Sequence, residues 1–219
     1  MNSVIQYQGR KARRAGSEQR RRAILEAALR IIIRDGVRSV RHRAVAKEAD
    51  VPLSATTYYF KDITDLIADT FTLFAEQAMS DVIGPFRDQA FELIGQLDVN
   101  GVDADKKAAV LAALADATAD YILRQVREQR DHLIAEQAFF MEAVLDERLR
   151  KLAENYKAEQ LKVLRQACER IGAGQPQEAA ELIYADLSGI ELDLLVAPQR
   201  LGDADVRERI RYLFRVVMS

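Results

Sequence analysis

The chain has 219 residues, 49 % of them hydrophobic and 30 % charged, which are ordinary globular proportions that exclude disordered and fibrous classes. Its longest uninterrupted apolar run, Ala108 to Ala115, is far short of the roughly 18 residues that cross a bilayer. The net charge of −2 conceals a partition, because residues 1–61 carry 14 basic and 5 acidic side chains while the remainder carries 18 and 29.

Only 10 glycines and 4 prolines occur, none of them between residues 102 and 171, so the expected fold class is all-α. Residues 1–16 read as a basic flexible arm around Arg10-Lys-Ala-Arg-Arg14. A helix over 17–35 should open on a Ser17 cap, bury Leu25, Ala28, Leu29 and Ile32, and stop at Asp35-Gly36. Two short helices fall between Val40 and Phe60. Ile63, Ile67, Thr70, Phe74 and Ala78 line a helix over 62–83 that Gly84-Pro85 is expected to end. Further helices are expected near 86–97, 105–127, 130–144, 147–171, 176–196 and 203–217, with no internal repeat.

The segment from Val40 to Phe60 has the pattern of a helix-turn-helix. Val45, Ala46 and Ala49 give its first helix a small apolar face, Asp50 is a residue type that tolerates a left-handed turn, and Val51 can plug the interhelical angle. Ser54 is expected to cap the second helix, whose surface offers Ser54, Ala55, Thr56, Thr57, Tyr58 and Tyr59. Such a surface suits phosphates and thymine methyl groups but has no Arg, Asn or Gln for bidentate base reading. Arg41, Arg43 and Lys61 flank it and can reach phosphates or guanine edges. A cationic module on an otherwise acidic protein is the footprint of docking on a polyanion. An ordinary helical hairpin whose tyrosines pack in a core fits the same pattern.

Residues 22–66, RAILEAALRIIIRDGVRSVRHRAVAKEADVPLSATTYYFKDITDL, resemble the N-terminal signature of the TetR family of transcriptional repressors without a gap. The family's Ala-Gly-Val turn falls on Ala49-Asp50-Val51 and its terminal aromatic on Phe60. The resemblance implies a homodimer that binds operator DNA through residues 17–62 and is released by a small molecule held in residues 63–219. Arg41 stands where the family has a capping threonine, Thr57 where it has tyrosine, and Ile63 where it has lysine, so the phosphate contacts must be redistributed, with Tyr58, Tyr59 and Lys61 as substitutes.

For the larger segment, the resemblance points to the last long helices as the dimer interface. Stripes of Leu161, Leu164, Cys168 and Ile171 and of Ile183, Leu187, Ile190 and Leu194 are the candidates, and Ser188-Gly189 would let helices cross closely. Facing the monomer core is the other reading of both stripes. Phe71, Phe74, Phe86, Phe91, Tyr121, Phe139, Phe140 and Met141 are candidate pocket walls for a lipophilic or aromatic effector, although aromatics at helical spacing also build plain cores.

An enzyme is not expected: there is no phosphate-binding glycine loop and no nucleophile motif, and His42 and His132 form no pattern. No cofactor or metal is expected, since Cys168 is the single cysteine. No signal segment opens the chain, so a soluble cytoplasmic protein is the expectation, with duplex DNA, a second copy and a small effector as partners and no membrane. A helical adaptor that uses its basic third to hold an acidic partner protein is the alternative, and salt-dependent duplex binding separates the two.

Overall fold

The computed structural model describes Tyr7, residues 15–96 and residues 104–217; the basic segment 10–14 lies outside them. All regular structure among the described residues is helical. Helix α1 runs Ala15–Asp35 and ends because Gly36 takes φ 83°, a left-handed conformation a side chain would resist, while its N–H closes on the Ile32 carbonyl at 2.9 Å. Ser17 therefore lies inside the helix rather than capping it, and its hydroxyl meets the Tyr59 hydroxyl at 2.8 Å.

After a 3₁₀ turn at Val37–Ser39 come α2 (His42–Glu48), α3 (Leu53–Tyr59) and α4 (Ile63–Gln77). Asp62 caps α4 by accepting the Thr64 N–H at 2.9 Å, and this bond holds its carboxyl below the usual range. The expected stop at Gly84-Pro85 does not occur. The backbone widens into a π-helical segment over Ala78–Ile83, and Pro85 then sits in the first turn of α5 (Gly84–Ile94), where a missing N–H costs least. The chain continues through α6 (Ala104–Glu128), α7 (Arg130–Ala143), α8 (Glu147–Ile171), α9 (Pro176–Val196) and α10 (Asp203–Val217), close to the expected bounds. None of these helices is long and apolar enough to cross a membrane.

By packing, the described residues form two compact units, one of residues up to 79 together with 134–156, the other of residues 80–133 together with 157 onward. This division does not fall at residue 62, because α4 and the 134–156 segment share a core with the helices before them. In the first unit, α1 packs on α2 and α4 through Ile24, Leu25, Ala28 and Ile32, with Val45, Phe60 and Leu66 also buried. Phe71, Phe74, Phe139 and Tyr156 complete that core as an aromatic cluster. Phe71 and Phe139 stack at 4.7 Å between centroids, and Tyr156 stands edge-on to Phe71 and Phe74 at 6.1 and 5.8 Å.

An ion pair is buried in the same unit. Arg21 of α1 donates to Asp69 of α4 at 2.6 Å and to Glu18 at 3.2 Å, and the Tyr7 ring lies 4.3 Å from the guanidinium carbon. Tyr7 in turn donates to Glu76 at 2.5 Å. In the second unit, α6 packs against α5, α9 and α10 around Ile122, Cys168, Ile190, Val206 and Ile210.

Candidate nucleic-acid interface and effector cavity

Residues 42–59 fold as the helix-turn-helix the sequence indicates. Asp50 takes φ 50°, the Val51 N–H reaches back to the Ala46 carbonyl at 3.0 Å, and the four residues 49–52 separate α2 from α3. Ser54 does not cap α3. The helix begins at Leu53 after Pro52, whose fixed φ and missing N–H suit a helix entry, and no side-chain hydrogen bond caps its N-terminus. The hydroxyl of Thr56 donates instead to the Leu53 carbonyl at 2.8 Å.

Of the expected DNA-facing residues, Ser54, Thr57 and Tyr58 are exposed, whereas Thr56 and Tyr59 are buried and hold α3 to its own unit. Tyr59 is fixed by the Ser17 hydroxyl and by the edge of Tyr58 at 5.1 Å between centroids. Leu53 joins the outward face at 43 % exposure, a residue outside the helical surface expected from a Ser54 cap.

The cations divide into engaged and available. Arg30 and Arg34 are tied to Glu48, and Arg22 to Glu26. Arg41 folds its guanidinium onto the Arg38 and Val40 carbonyls at 2.6 and 2.8 Å, so the expected reach toward phosphates requires it to leave that position. Among the described residues, Arg38, Arg43, Lys47 and Lys61 are exposed and make no ion pair. Arg38 and Lys47 were not singled out by sequence, although their positive charge beside the motif was the available signal.

The expected pocket residues separate. Phe71, Phe74 and Phe139 are fully buried in the aromatic core of the first unit, with Phe140 beside Tyr156 at 6.2 Å, and Met141 points outward at 69 % exposure. These residues fill space rather than line it. In the second unit, Phe86 stacks on Tyr121 at 4.3 Å and Phe91 faces the Arg170 guanidinium at 4.4 Å. Phe86 also borders a small, almost wholly apolar cavity of about 50 Å³, lined further by Leu114, Thr118, Leu164, Cys168, Ile171, Ile183 and Leu187. Leu164, Cys168, Ile171, Ile183 and Leu187, expected at a dimer interface, thus face their own protomer's interior, and Ile190 and Leu194 are buried in the same core. Leu161 is half-buried. Burial pushes the Cys168 thiol up to about 11, which keeps it protonated and unreactive at neutral pH.

The outer face of α9 is apolar as well. Leu182, Ala185, Gly189, Leu192 and Val196 follow one another at spacings of three and four, Leu182, Leu192 and Val196 are well exposed, and Tyr212 and Val216 of α10 are exposed too. A wide groove of about 740 Å³ between α6 and α10 carries Arg207, Arg211 and Arg215 on its wall, but the first two are paired with Asp120 and Asp116. Among the described residues, no group of His, Cys, Asp and Glu side chains is placed to hold a metal ion.

The chain is thus all-helical, with an N-terminal helix-turn-helix followed in sequence by a larger helical segment, the architecture of a helix-turn-helix transcriptional regulator. Residues 109–217 match the family model described as the tetracyclin repressor-like C-terminal domain. The chain belongs to the TetR family of transcriptional regulators. The fold is shared with a TetR-family member from Streptomyces coelicolor A3 at 23 % identity, covering 89 % of this chain and 98 % of that one with a TM-score of 0.68. It is shared also with a transcriptional regulator from Rhodococcus sp. Rha1 at 18 % identity, 90 % and 95 % coverage and a TM-score of 0.61. The multidrug binding protein EbrR complexed with ethidium aligns at 23 % identity over 89 % of this chain and 98 % of that one, with a TM-score of 0.62. No curated protein matches the sequence.

Proposed function

We propose that this chain is a homodimeric, cytoplasmic, effector-responsive repressor, without catalytic activity, that binds operator duplex through residues 17–62 and senses and dimerises through residues 63–219. The observation that carries the reading is the outward face of α3, Leu53, Ser54, Thr57 and Tyr58, accompanied by the exposed and unpaired Arg38, Arg43, Lys47 and Lys61. Cations of that kind neutralise phosphates and fix register, while a helix after a tight turn enters the major groove. The apolar seam on α9, with Tyr212 and Val216, supports dimerisation, because two half-sites need two copies held one helical turn or more apart. Effector release by a small lipophilic or aromatic molecule is supported by the apolar lining of the second unit's cavity, which at about 50 Å³ must widen to admit it, and by the likeness to EbrR, which was solved with ethidium.

The test is a mobility-shift titration of the purified protein on the intergenic DNA upstream of its own coding sequence and on a scrambled duplex, at two salt concentrations. Preference for the upstream duplex that persists at the higher salt is the expected result. Absence of binding to either duplex at low salt refutes the DNA-binding assignment.

A further inference from the structure

We propose that this protein reads its operator through the C5-methyl groups of thymines, with Leu53 and Tyr58 as the specificity-determining side chains and the Thr57 methyl beside them. The inference rests on the DNA-binding reading above and adds to it the kind of base edge that is recognised.

Bidentate base reading by hydrogen bonds needs a side chain that offers a paired donor and acceptor or two donors, as Arg, Asn and Gln do. Helix α3 has none of these. Its two inward residues, Thr56 and Tyr59, are committed to the Leu53 carbonyl and the Ser17 hydroxyl. On the outward face, the Thr57 hydroxyl turns back toward the Leu53 and Ser54 carbonyls at 3.4 and 3.3 Å, so the polar end is taken up by the helix itself and the methyl is its remaining reading surface. That leaves two hydroxyls, those of Ser54 and Tyr58, neither of them a bidentate group, beside a leucine 43 % exposed and a tyrosine ring on a residue 52 % exposed.

The Leu53 side chain and the Tyr58 ring, two large apolar surfaces left in water on a seven-residue helix, gain only if something covers them. The exposed cations in the same motif, Arg38, Arg43, Lys47 and Lys61, identify the cover as a polyanion rather than a protein core. The major groove of duplex DNA offers one apolar group, the thymine C5-methyl, and it is matched by Leu53, by the Thr57 methyl and by the Tyr58 ring edge. Phosphate contacts from the cations then position α3, and the methyl contacts discriminate.

The experiment uses the full-length protein throughout. A randomised duplex library is enriched for bound sequences, and the best duplex is compared by fluorescence anisotropy with copies in which each dT is replaced in turn by dU, a change that removes only the methyl. At one to three positions per half-site the dU copy is expected to bind about three- to fivefold more weakly, the effect of one methyl left uncovered. Leu53→Ala is expected to lose the distinction between dT and dU at its position while keeping the salt dependence, and Thr57→Val, which keeps a methyl and drops the hydroxyl, to preserve the distinction. Both residues are exposed, so a circular dichroism melt should show unchanged folding. Equal affinity for dT and dU duplexes overturns the methyl reading and leaves the DNA-binding reading in place, as does an L53A variant that weakens both duplexes alike. Failure to enrich any duplex overturns both.

Discussion

Removing the carboxylate of Asp69 tests how the first unit is held together. Asp69 is fully buried, and its oxygen lies 2.6 Å from Arg21, itself only 3 % exposed. Truncating one member of such a pair leaves a charge stranded in a low-dielectric interior, which typically costs about 3–5 kcal/mol. Two features place Asp69→Ala at the lower end, about 3 kcal/mol: Glu18 stays 3.2 Å from the same guanidinium, and the Tyr7 ring faces it at 4.3 Å. On a total of roughly 5–15 kcal/mol for a protein of this size, that is a large fraction. Replacing both charges together, Arg21→Met with Asp69→Leu, removes the stranded group and should return stability to within about 1 kcal/mol of the parent. Urea unfolding followed by circular dichroism, at one fixed protomer concentration because association shifts apparent stability, measures both variants. An Asp69→Ala loss below about 1 kcal/mol, or a double variant as unstable as the single one, would refute the argument that an uncompensated charge sets the cost.

Three more outcomes are expected. Phe139→Ala should cost about 3–5 kcal/mol of stability, read as a fall in melting temperature, because it opens a void among Phe71, Phe74 and Tyr156; a variant of unchanged melting temperature would restore Phe139 to a pocket wall. Leu192→Arg together with Val196→Arg should convert a dimer to a folded monomer in sedimentation velocity, since these side chains are exposed in the protomer; a stable dimer would move the interface off α9. Burial pushes the His132 imidazole down to about 4 from its ordinary 6.5, so between those values the unfolded chain binds a proton the folded one does not. Its contribution is therefore complete above about pH 6.5 and is lost as pH falls toward 4. His132→Gln should flatten that limb of the stability profile, and an unchanged limb would assign the acid sensitivity to other groups.

What could be read in sequence was local. The Ala49-Asp50-Val51 turn, the stop at Gly36 and the long breaker-free stretches are statements about backbone preference over a few residues, and the structure reproduces them in the φ of 50° at Asp50 and 83° at Gly36. The motif's cationic surroundings were equally legible, since charge needs no fold to be counted. Gly84-Pro85 misled because a proline ends a helix only if the preceding turn cannot adapt, and here the backbone widens over Ala78–Ile83.

Tertiary packing decided which face of each helix is interior. Helix α9 is apolar on two sides, with Ile183, Ile190 and Leu194 turned inward and Leu182, Leu192 and Val196 turned outward, and periodicity cannot tell a face that meets its own chain from one left open. In the same way Phe71 and Phe139, 68 positions apart, become core rather than cavity only because the chain brings them to 4.7 Å. On α3 the difference between Tyr58 and Tyr59 is invisible in composition, yet one is exposed and the other is held inside by Ser17 of α1. Local propensity set where the helices are and where the charge lies; the burial of apolar surface, a non-local and cooperative term, chose the faces and with them the residues left to act.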